Sequence, residues 1–426
     1  TLALITRVQE TSGISAPFLI VAPSSVVHNW AREAQRFTPG LKIATAAETV
    51  LRRGTTIDEL AGGADIVITS YTIFRLDFDD FDSVGWSGLI LDEAQYVKNH
   101  QAKSYQCARR LAAPFKLAIT GTPMENNVME LWSLLSIAAP GLFPSPKKFT
   151  DLYRKPIEQG GDTAVLDQLR RRIKPLVLRR TKELVVADLP PKQEQTVEVD
   201  LHPRHRKLYD TTLNRERQKI LGLIDNLDKN RFTILKSLTL LRQLSLDPTL
   251  VDDKHAKIPS AKTEELVAQL TEIAAGGHRA LVFSQFTRYL GRVRDRLSAE
   301  GIEIEYLDGN TRNRAAVVER FREGDAPVFL ISLKAGGVGL TLTEADYCFV
   351  LDPWWNPATE MQAVDRAHRI GQTKTVFVNR YISRGTIEEK VMALKERKAK
   401  LIAGVMDNGN TFDGGLTADD IRALIE

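Results

Sequence analysis

Cysteine is scarce in this chain of 426 residues, which contains only Cys107 and Cys348. Because there is no Cys-x-x-Cys pair and no histidine-rich pair, the sequence predicts neither a disulfide framework nor a zinc site. Reduced cysteines fit an intracellular compartment, which is the cytoplasm or nucleoid for a bacterial source and the nucleus for a eukaryotic one. No apolar stretch reaches the roughly 18 residues of a membrane span, and no signal peptide opens the chain. We therefore expect no membrane partner.

A charge excess of one sign is also missing. Lysine and arginine number 58 against 54 aspartate and glutamate residues, a net charge of +4 that neither demands nor excludes nucleic acid. Any basic surface for a nucleic acid must therefore be local. With 43% hydrophobic residues, the chain can bury two or three cores on a prior of about 150 residues per domain.

The segment around which the sequence is organised is 86–95. Its apolar residues 89–91 indicate a buried strand, and the carboxylates of Asp92 and Glu93 follow at once. In an open parallel sheet, ligands bind beyond the carboxyl ends of the strands. A magnesium-binding aspartate and a water-orienting glutamate of a phosphoryl-transfer site would lie there. The alternative is that one of the two acids only begins the next helix as a capping residue.

Strand and helix patterns alternate along the first 128 residues. Strand-like runs end in hydroxyl or acidic side chains or a glycine near residues 24, 70, 92 and 120, which is typical of an α/β fold with a parallel sheet. From about 129 to 250, long helical patterns indicate an insertion, and the alternation resumes at 278. Inside the insertion, 170–174 and 179–182 form a basic cluster. This cluster predicts either a solvated face or a surface that contacts phosphate groups.

Two motifs of the second α/β region also suggest chemistry. The segment 334–340 contains three glycines, which allow close approach of the backbone to a phosphate. Further on, Arg366 and Arg369 lie three residues apart, so on a helix they would share one face and could reach the same anionic group. An arginine from a second lobe can stabilise a transferring γ-phosphoryl group. The alternative is a solvated pair that Glu360 and Asp365 neutralise.

Together these motifs resemble the Swi/Snf-type branch of the superfamily-two helicase-like ATPases. The resemblance extends from residue 1 to about 400, and the segments that carry it in order and spacing are 21–30, 69–71, 92–95, 117–123, 281–286, 306–311, 334–341 and 365–372. It implies an α/β fold of two RecA-like parallel-sheet lobes with inserted helical protrusions. The domains that we expect are a first lobe at 1–128, protrusions and a linker at 129–257, a second lobe at 258–404 and a C-terminal bracing helix at 405–426.

The same resemblance implies an ATP-dependent translocase that moves along double-stranded DNA and remodels protein–DNA complexes without separating the strands. ATP and magnesium are then the cofactors, and the partners are duplex DNA and a DNA-bound protein complex. Because the expected DNA contacts are mainly to phosphates, sequence preference should be low and salt dependence strong. Gln95 and the compact insertions look more like a bacterial member than a nuclear one.

Roles for individual residues follow from the resemblance. Asp92 would hold Mg²⁺ and Glu93 would orient the attacking water, while Arg366 and Arg369 would be the arginine fingers. The residues implied for nucleotide binding are Gly337, Gly339 and Gln372. Those implied for coupling are Gln95, Thr120, Gly121 and Thr122. Those implied for DNA contact are Ser24, Ser25, Ser70, Ser284, Gln285, Gly309 and Lys334, with Trp355 entering a groove.

Two features of the chain depart from the family's pattern. No GxxxxGK[ST] phosphate loop occurs, and the segment 261–263, Ala-Lys-Thr, lacks the glycines that surround a phosphate. In the family that loop lies just before the helix corresponding to 1–5, so we expect that it was cut away or lies upstream of Thr1. The chain as given is then expected to hydrolyse ATP poorly or not at all. Gln95 stands at the fourth position of the acidic motif 92–95, where the family most often has histidine. This leaves open its coupling to the third motif, which is the segment 117–123.

Segments 386–389, with a capping box, and 417–426 resemble the two bracing helices that pack on the first lobe in the family.

Two other functions stay open at this point. One is a non-hydrolysing DNA-binding scaffold, for which the acids and arginines would be unnecessary. The other is an RNA-directed helicase, which RNA would stimulate and duplex DNA would not.

Overall fold

Two parallel sheets organise the chain, one in each half. The structure is a computed structural model that describes residues 1–12, 16–121, 124, 127–160, 162–180, 189–336, 340–353, 357–394 and 418–425. The described residues up to Leu178 form an N-terminal unit, and those from Arg179 onward form a C-terminal unit. Each unit is an α/β structure on its own parallel sheet, which confirms the predicted fold class.

The sheet of the N-terminal unit has the strand order β2-β3-β1-β4-β5, and every neighbouring pair is parallel. Its strands are β1 Phe18–Ala22, β2 Ile43–Ala46, β3 Ile66–Ser70, β4 Gly88–Asp92 and β5 Lys116–Ile119. Strands β1 and β3 are buried along their whole length, as expected for apolar strands with helices on both faces. Glycine opens β4 because a Cβ at Gly88 would lie 2.7 Å from the ring of Phe18 on β1.

Helices of the N-terminal unit connect these strands and extend the unit beyond β5. Their bounds are Leu2–Ser12, Ser24–Phe37, Val50–Arg53, Ile57–Ala61, Tyr71–Leu76, Phe78–Asp82, Lys103–Arg110, Val128–Ala138, Pro146–Phe149, Lys155–Gly160 and Thr163–Ile173, with a 3-10 turn at Ala94–Val97 and a π turn at Thr150–Arg154. The helices after β5 bury Trp132, Phe149 and Leu166 in the same core as β4. The first part of the predicted insertion is therefore continuous with the first lobe.

The sheet of the C-terminal unit has the order β6-β11-β10-β7-β9-β8 and is also parallel throughout. Its strands are β6 Lys192–Val199, β7 Ala280–Ser284, β8 Ile304–Leu307, β9 Val328–Ser332, β10 Tyr347–Val350 and β11 Val376–Ser383. The helices are Pro203–Leu221, Leu227–Leu246, Ala261–Ala275, Thr287–Ala299, Arg314–Glu323, Leu333–Gly336, Pro357–Val364, 387–394 and Ala418–Ile425, with 3-10 turns at Ile224–Asn226, Pro248–Leu250 and Asp253–His255.

Three elements differ from the sequence expectations. The helical stretch predicted over 129–250 is interrupted by β6, whose mostly exposed residues pair with β11 at the edge of the sheet. The last helix packs Ile421 with Ile387 and with Leu238 in the C-terminal unit, where the resemblance predicts packing on the first lobe. Residues 387–394 form the predicted helix, but the Thr386 hydroxyl accepts its hydrogen bond from the N–H of Glu388, one residue earlier than in a capping box.

Among the described residues, no helix is both long enough and apolar enough to cross a bilayer.

Candidate functional site

Asp92 ends β4 at the carboxyl edge of the N-terminal sheet, and both of its carboxylate oxygens accept hydrogen bonds. The indole Nε1 of Trp30 donates to Oδ2 over 2.8 Å, and the backbone N–H of Glu93 donates to Oδ1 over 3.0 Å. The phenol of Tyr71 donates to the backbone oxygen of Asp92, also over 2.8 Å. Two donors therefore orient the partly exposed carboxylate, and a third holds the backbone of the same residue.

Glu93 has left-handed backbone angles, with φ 50° and ψ 54°, and is the one non-glycine residue with positive φ among those the structure describes. A bulky side chain in this region signals local strain, which is characteristic of functional sites. Glu93 precedes the turn Ala94–Val97 without a side-chain capping bond, so its carboxylate is not used as a helix cap.

A hydrogen-bonded chain joins Glu93 to the neighbouring strand end. The Gln95 amide donates from Nε2 to Oε2 of Glu93 over 2.8 Å. The hydroxyl of Thr120, just after β5, donates to Oε1 of Gln95 over 2.7 Å. Gln95 thus makes both contacts with residues of the predicted acidic and third motifs, although it is not the histidine that is usual in the family.

Tyr71 lies beneath the acid pair and stacks on Tyr96, with ring centroids 5.1 Å apart. Burial raises the pKa of Tyr71 well above its ordinary value, and the negative charges of Asp92 and Glu93 add to the rise. Its phenol therefore stays protonated and remains a hydrogen-bond donor at neutral pH.

The carboxylate of Asp92 is a suitable ligand for a magnesium ion that enters with a nucleotide. Magnesium in phosphoryl-transfer sites is bound by one or two carboxylates together with substrate phosphates, with no need for a cage of protein ligands. The described residues accordingly offer one oriented carboxylate here, and contain no cluster of three or more metal-ligating side chains.

The two predicted arginine fingers lie together in the C-terminal unit. The Nη1 atoms of Arg366 and Arg369 both donate to the backbone oxygen of Leu340, over 3.4 and 3.3 Å. The helix that we expected to carry them ends at Val364, and Arg366 lies in the turn that follows because its own carbonyl accepts the N–H of Leu342. Both guanidinium groups thus reach one neutral carbonyl from a turn rather than from a helix, and their contact with a common anionic group stays a prediction.

The two arginines differ in solvent exposure, and one predicted acidic neighbour pairs with another arginine. Arg366 is buried and Arg369 is exposed. Glu360, which the sequence suggested as a neutralising partner, is buried and pairs with Arg380, whose Nε lies 3.3 Å from its carboxylate.

Gln372 has a structural role that the sequence did not predict. Its amide nitrogen donates to the backbone oxygens of Thr343, Ala345 and Ala367, and its amide oxygen accepts two backbone N–H groups. These bonds shape the loop that follows the glycine segment, and direct contact of Gln372 with a nucleotide stays a prediction.

The predicted DNA-contact residues lie at strand ends or just after them. Ser24 is exposed at the start of the helix Ser24–Phe37. Ser70 and Ser284 are buried, and their hydroxyls accept backbone N–H groups two or three residues further on. The observed bonds of these two serines shape the strand ends, and DNA contact by them stays a prediction. Gly309 is exposed in the loop after β8.

Gln285 is held through its backbone N–H, whereas the nitrogen of its side-chain amide lacks an acceptor in the described part of the chain. Its N–H donates to both carboxylate oxygens of Asp352, over 3.2 and 3.3 Å. Its side-chain Nε2 is buried and has no hydrogen-bond acceptor among the described residues. A buried amide donor without a partner is costly, and an oxygen acceptor from a ligand would satisfy it.

Several predicted site residues fall outside the part of the chain that the structure describes. Thr122, Gly337, Gly339 and Trp355 lie outside the described residues, as do the side chains of Ser25 and Lys334. Gly121 is exposed at the end of the described segment after β5.

Sequence reasoning missed a buried charge cluster behind the strand ends of the C-terminal unit. Arg242 donates to the backbone oxygen of Pro353 over 2.7 Å and lies 3.7 Å from Asp352. Lys262 is fully buried, with its Nζ 2.6 Å from the carboxylate of Glu388, so the segment 261–263 is not a phosphate loop. The sequence carries no signal for this cluster, because the burial of Lys262 is visible only in the structure and its partner is 126 positions away.

Comparison with protein families and with relatives gives a consistent result. A model of the SNF2-related domain matches residues 1–250, and a model of the helicase conserved C-terminal domain matches residues 261–371. The chain is 35% identical over 419 residues to the putative ATP-dependent helicase/translocase YwqA of Bacillus subtilis, covering 96% of this chain and 45% of that protein. It is 33% identical over 429 residues to the human SWI/SNF-related matrix-associated actin-dependent regulator of chromatin subfamily A member 1, covering 97% and 41%.

The chain spans less than half the length of these relatives. Among solved structures, the Sulfolobus solfataricus SWI2/SNF2 ATPase core in complex with dsDNA is 29% identical and has a TM-score of 0.44, with 100% of this chain and 89% of that chain covered.

Proposed function

The chain belongs to the SNF2-related family of helicase-like ATPases, and we propose that the protein carrying it is a DNA-stimulated ATPase that translocates along double-stranded DNA. In this proposal the protein remodels protein–DNA complexes and does not separate the strands. A DNA-bound protein complex is then its second partner, and its location is intracellular.

The observation that carries the proposal is the oriented acid pair at the carboxyl end of β4. Asp92 has three donors around it, and Glu93 is joined through Gln95 to Thr120. A DNA-binding scaffold without turnover has no use for a strained glutamate whose carboxylate is held by a neighbouring amide. This argument favours an ATPase over the scaffold.

In the proposed reaction, Asp92 would hold Mg²⁺ together with the phosphates of ATP, and the metal would neutralise charge that develops on them. Glu93 would orient the attacking water, with Gln95 fixing the position of its carboxylate. Arg366 and Arg369 would stabilise negative charge on the transferring phosphoryl group. Their shared acceptor, the backbone oxygen of Leu340, keeps the two guanidinium groups together.

Two observations support DNA as the partner. The buried Nε2 of Gln285 has no acceptor among the described residues, and a phosphate oxygen is a suitable one. Residues 145–180 contain ten lysine and arginine residues against four aspartate and glutamate residues, so the positive charge of the chain is concentrated locally. Such a concentration is the usual electrostatic signature of phosphate binding.

The experiment that tests the proposal is steady-state phosphate release by the full-length protein with duplex DNA, single-stranded DNA, RNA or no nucleic acid. We expect strong stimulation by duplex DNA alone. Stimulation by RNA alone would support the RNA-directed helicase, and DNA binding without hydrolysis under any condition would support the scaffold.

Translocation without strand separation needs its own measurement. A protein that moves along duplex DNA should displace a third strand bound in the major groove in an ATP-dependent manner, and should leave a forked duplex paired. Unwinding of the fork at a comparable rate would contradict this part of the proposal.

A further inference from the structure

Two aromatic side chains, Trp30 and Tyr71, hold Asp92 from opposite ends of the residue. The Trp30 indole binds its carboxylate and the Tyr71 phenol binds its backbone carbonyl, each over 2.8 Å. Neither bond is local, because the partners are 62 and 21 positions apart in the sequence. Residues that hold a metal-binding carboxylate in this way tune both its orientation and its affinity for the metal.

Each aromatic residue belongs to a helix that has a predicted DNA-contact serine as its first residue or its N-cap. Trp30 lies on the helix Ser24–Phe37, six residues after Ser24, which corresponds to about 9 Å along a helix axis. Tyr71 directly follows Ser70, whose hydroxyl caps the helix Tyr71–Leu76 by accepting the N–H of Ile73. A rigid helix carries a displacement of its first residue to every later residue, so a change at either serine would move a donor to Asp92.

We propose that Trp30 and Tyr71 are positioning residues through which DNA bound at Ser24 and Ser70 sets the orientation of Asp92 for magnesium. This inference rests on the proposed function and identifies a route by which DNA would stimulate it. Without DNA, small shifts of the two helices leave the carboxylate less well oriented. With DNA, the phosphate contacts fix the helix starts, and both hydrogen bonds are held at full strength.

The test removes one donor at a time and keeps the aromatic ring. Trp30→Phe deletes the indole N–H, and Tyr71→Phe deletes the phenol O–H. The matched controls are Trp86→Phe and Tyr105→Phe. In the wild type, the Trp86 indole donates over 2.8 Å to the backbone oxygen of Phe81, and the Tyr105 phenol is hydrogen-bonded to Ser136. The controls lose the same groups from the same unit at positions away from Asp92.

The main measurement is the Mg²⁺ concentration that gives half-maximal binding of a fluorescent ATP analogue to the full-length protein, with and without duplex DNA. In the wild type we expect DNA to lower this concentration. Trp30→Phe should raise it about 10- to 100-fold, the usual effect of losing a residue that supports a metal ligand, and should abolish most of the DNA effect. Tyr71→Phe should raise it about 2- to 10-fold, because its bond is to a neutral carbonyl.

DNA affinity and the thermal midpoint Tm are measured on the same variants. Trp30→Phe is expected to retain wild-type DNA affinity and to lose no more Tm than Trp86→Phe, which separates a positioning role from a folding defect. A Mg²⁺ requirement within twofold of the wild type, or one that rises equally with and without DNA, would overturn the inference.

Failure of the inference differs from failure of the proposed function. A wild-type protein whose ATP turnover does not rise with duplex DNA contradicts the proposed function. A stimulated wild type, together with a Trp30→Phe variant that keeps its Mg²⁺ requirement and its DNA response, contradicts this inference alone.

Discussion

Gln95 donates a hydrogen bond to the carboxylate of Glu93, and the opposite end of the same amide accepts one from Thr120. An amide is well suited to this place because it presents a donor and an acceptor at once and carries no charge. A neutral histidine presents the same pair on its two ring nitrogens, which explains how either residue can serve at this position.

Gln95→Ala is expected to lower the DNA-stimulated turnover number about tenfold, because Glu93 loses one orienting bond and its link to Thr120. Gln95→His should restore most of the rate. Nucleotide affinity, measured with a fluorescent ATP analogue, should change little in either variant. A Gln95→Ala protein with wild-type turnover would show that the Glu93–Gln95–Thr120 chain is not used in the reaction.

The two arginines permit a prediction that separates chemistry from folding. Arg369→Ala should lower turnover about 10³-fold or more, the range of arginine-finger effects, without loss of Tm, because this side chain is exposed. Arg366→Ala should lower both turnover and Tm, because the side chain is buried. DNA affinity should stay near that of the wild type in both.

The control for the arginines is Arg320→Ala, which removes an exposed guanidinium that pairs with Glu305 in the same unit. It should leave turnover unchanged. An Arg369→Ala variant that hydrolyses ATP as fast as this control would remove Arg369 from the proposed mechanism.

Much of the fold was predictable because most strands of the two sheets are short apolar runs with polar ends. Asp92 and Ser284 are the last residues of β4 and β7, Thr120 directly follows β5, and parallel pairing brings such strand ends to one edge of the sheet. Local sequence therefore contains enough information to locate the carboxyl edge of each sheet.

Contacts between distant segments were not predictable. The strand β6 has an exposed, polar sequence, because it lies at the edge of its sheet and buries little of either face. The bonds of Trp30 to Asp92 and of Lys262 to Glu388 join residues that are 62 and 126 positions apart. Nothing in the neighbouring residues of either partner indicates the other.

The salt dependence of DNA affinity tests whether the basic cluster of the insertion contacts phosphates. If Arg179 and Arg180 each contact one phosphate, replacing both by glutamine should lower the slope of log affinity for duplex DNA against log salt by about 1.8. The control is the pair Arg7→Gln and Arg294→Gln, which removes two exposed arginines elsewhere. An unchanged slope would favour the solvated face.

The buried pair of Lys262 and Glu388 should stabilise the fold only as a pair. Lys262→Met leaves the Glu388 carboxylate buried with one partner fewer, and a cost of about 3–5 kcal/mol in the free energy of unfolding is typical of such a change. The double variant Lys262→Met, Glu388→Leu should be more stable than Lys262→Met alone. Thermal unfolding checks this, and a double variant no more stable than Lys262→Met would show that the Glu388 carboxylate left without its lysine carries no such penalty.

Asp352 gives the C-terminal unit a pH-dependent stability. Burial raises the pKa of this carboxyl to about 6, against the opposing effects of Arg242 and of hydrogen bonds from Ser284 and Gln285. The unfolded chain releases the same proton near the ordinary value of 3.8, so between these two values the folded state binds more protons than the unfolded state. Stability must therefore fall as pH rises through this window, by about 3 kcal/mol in total.

The asparagine side chain in Asp352→Asn does not titrate, so this variant does not lose folding stability as the pH rises through the window. The Tm of the variant minus that of the wild type should become more positive as the pH rises from about 4 to about 7, whatever its value at the acidic end. Asp295→Asn, at an exposed position, is the control and should show no such trend. A constant difference for Asp352→Asn would mean that Arg242 holds the carboxylate ionised throughout, and that the Gln285 backbone is anchored by a permanent charge rather than by a titrating one.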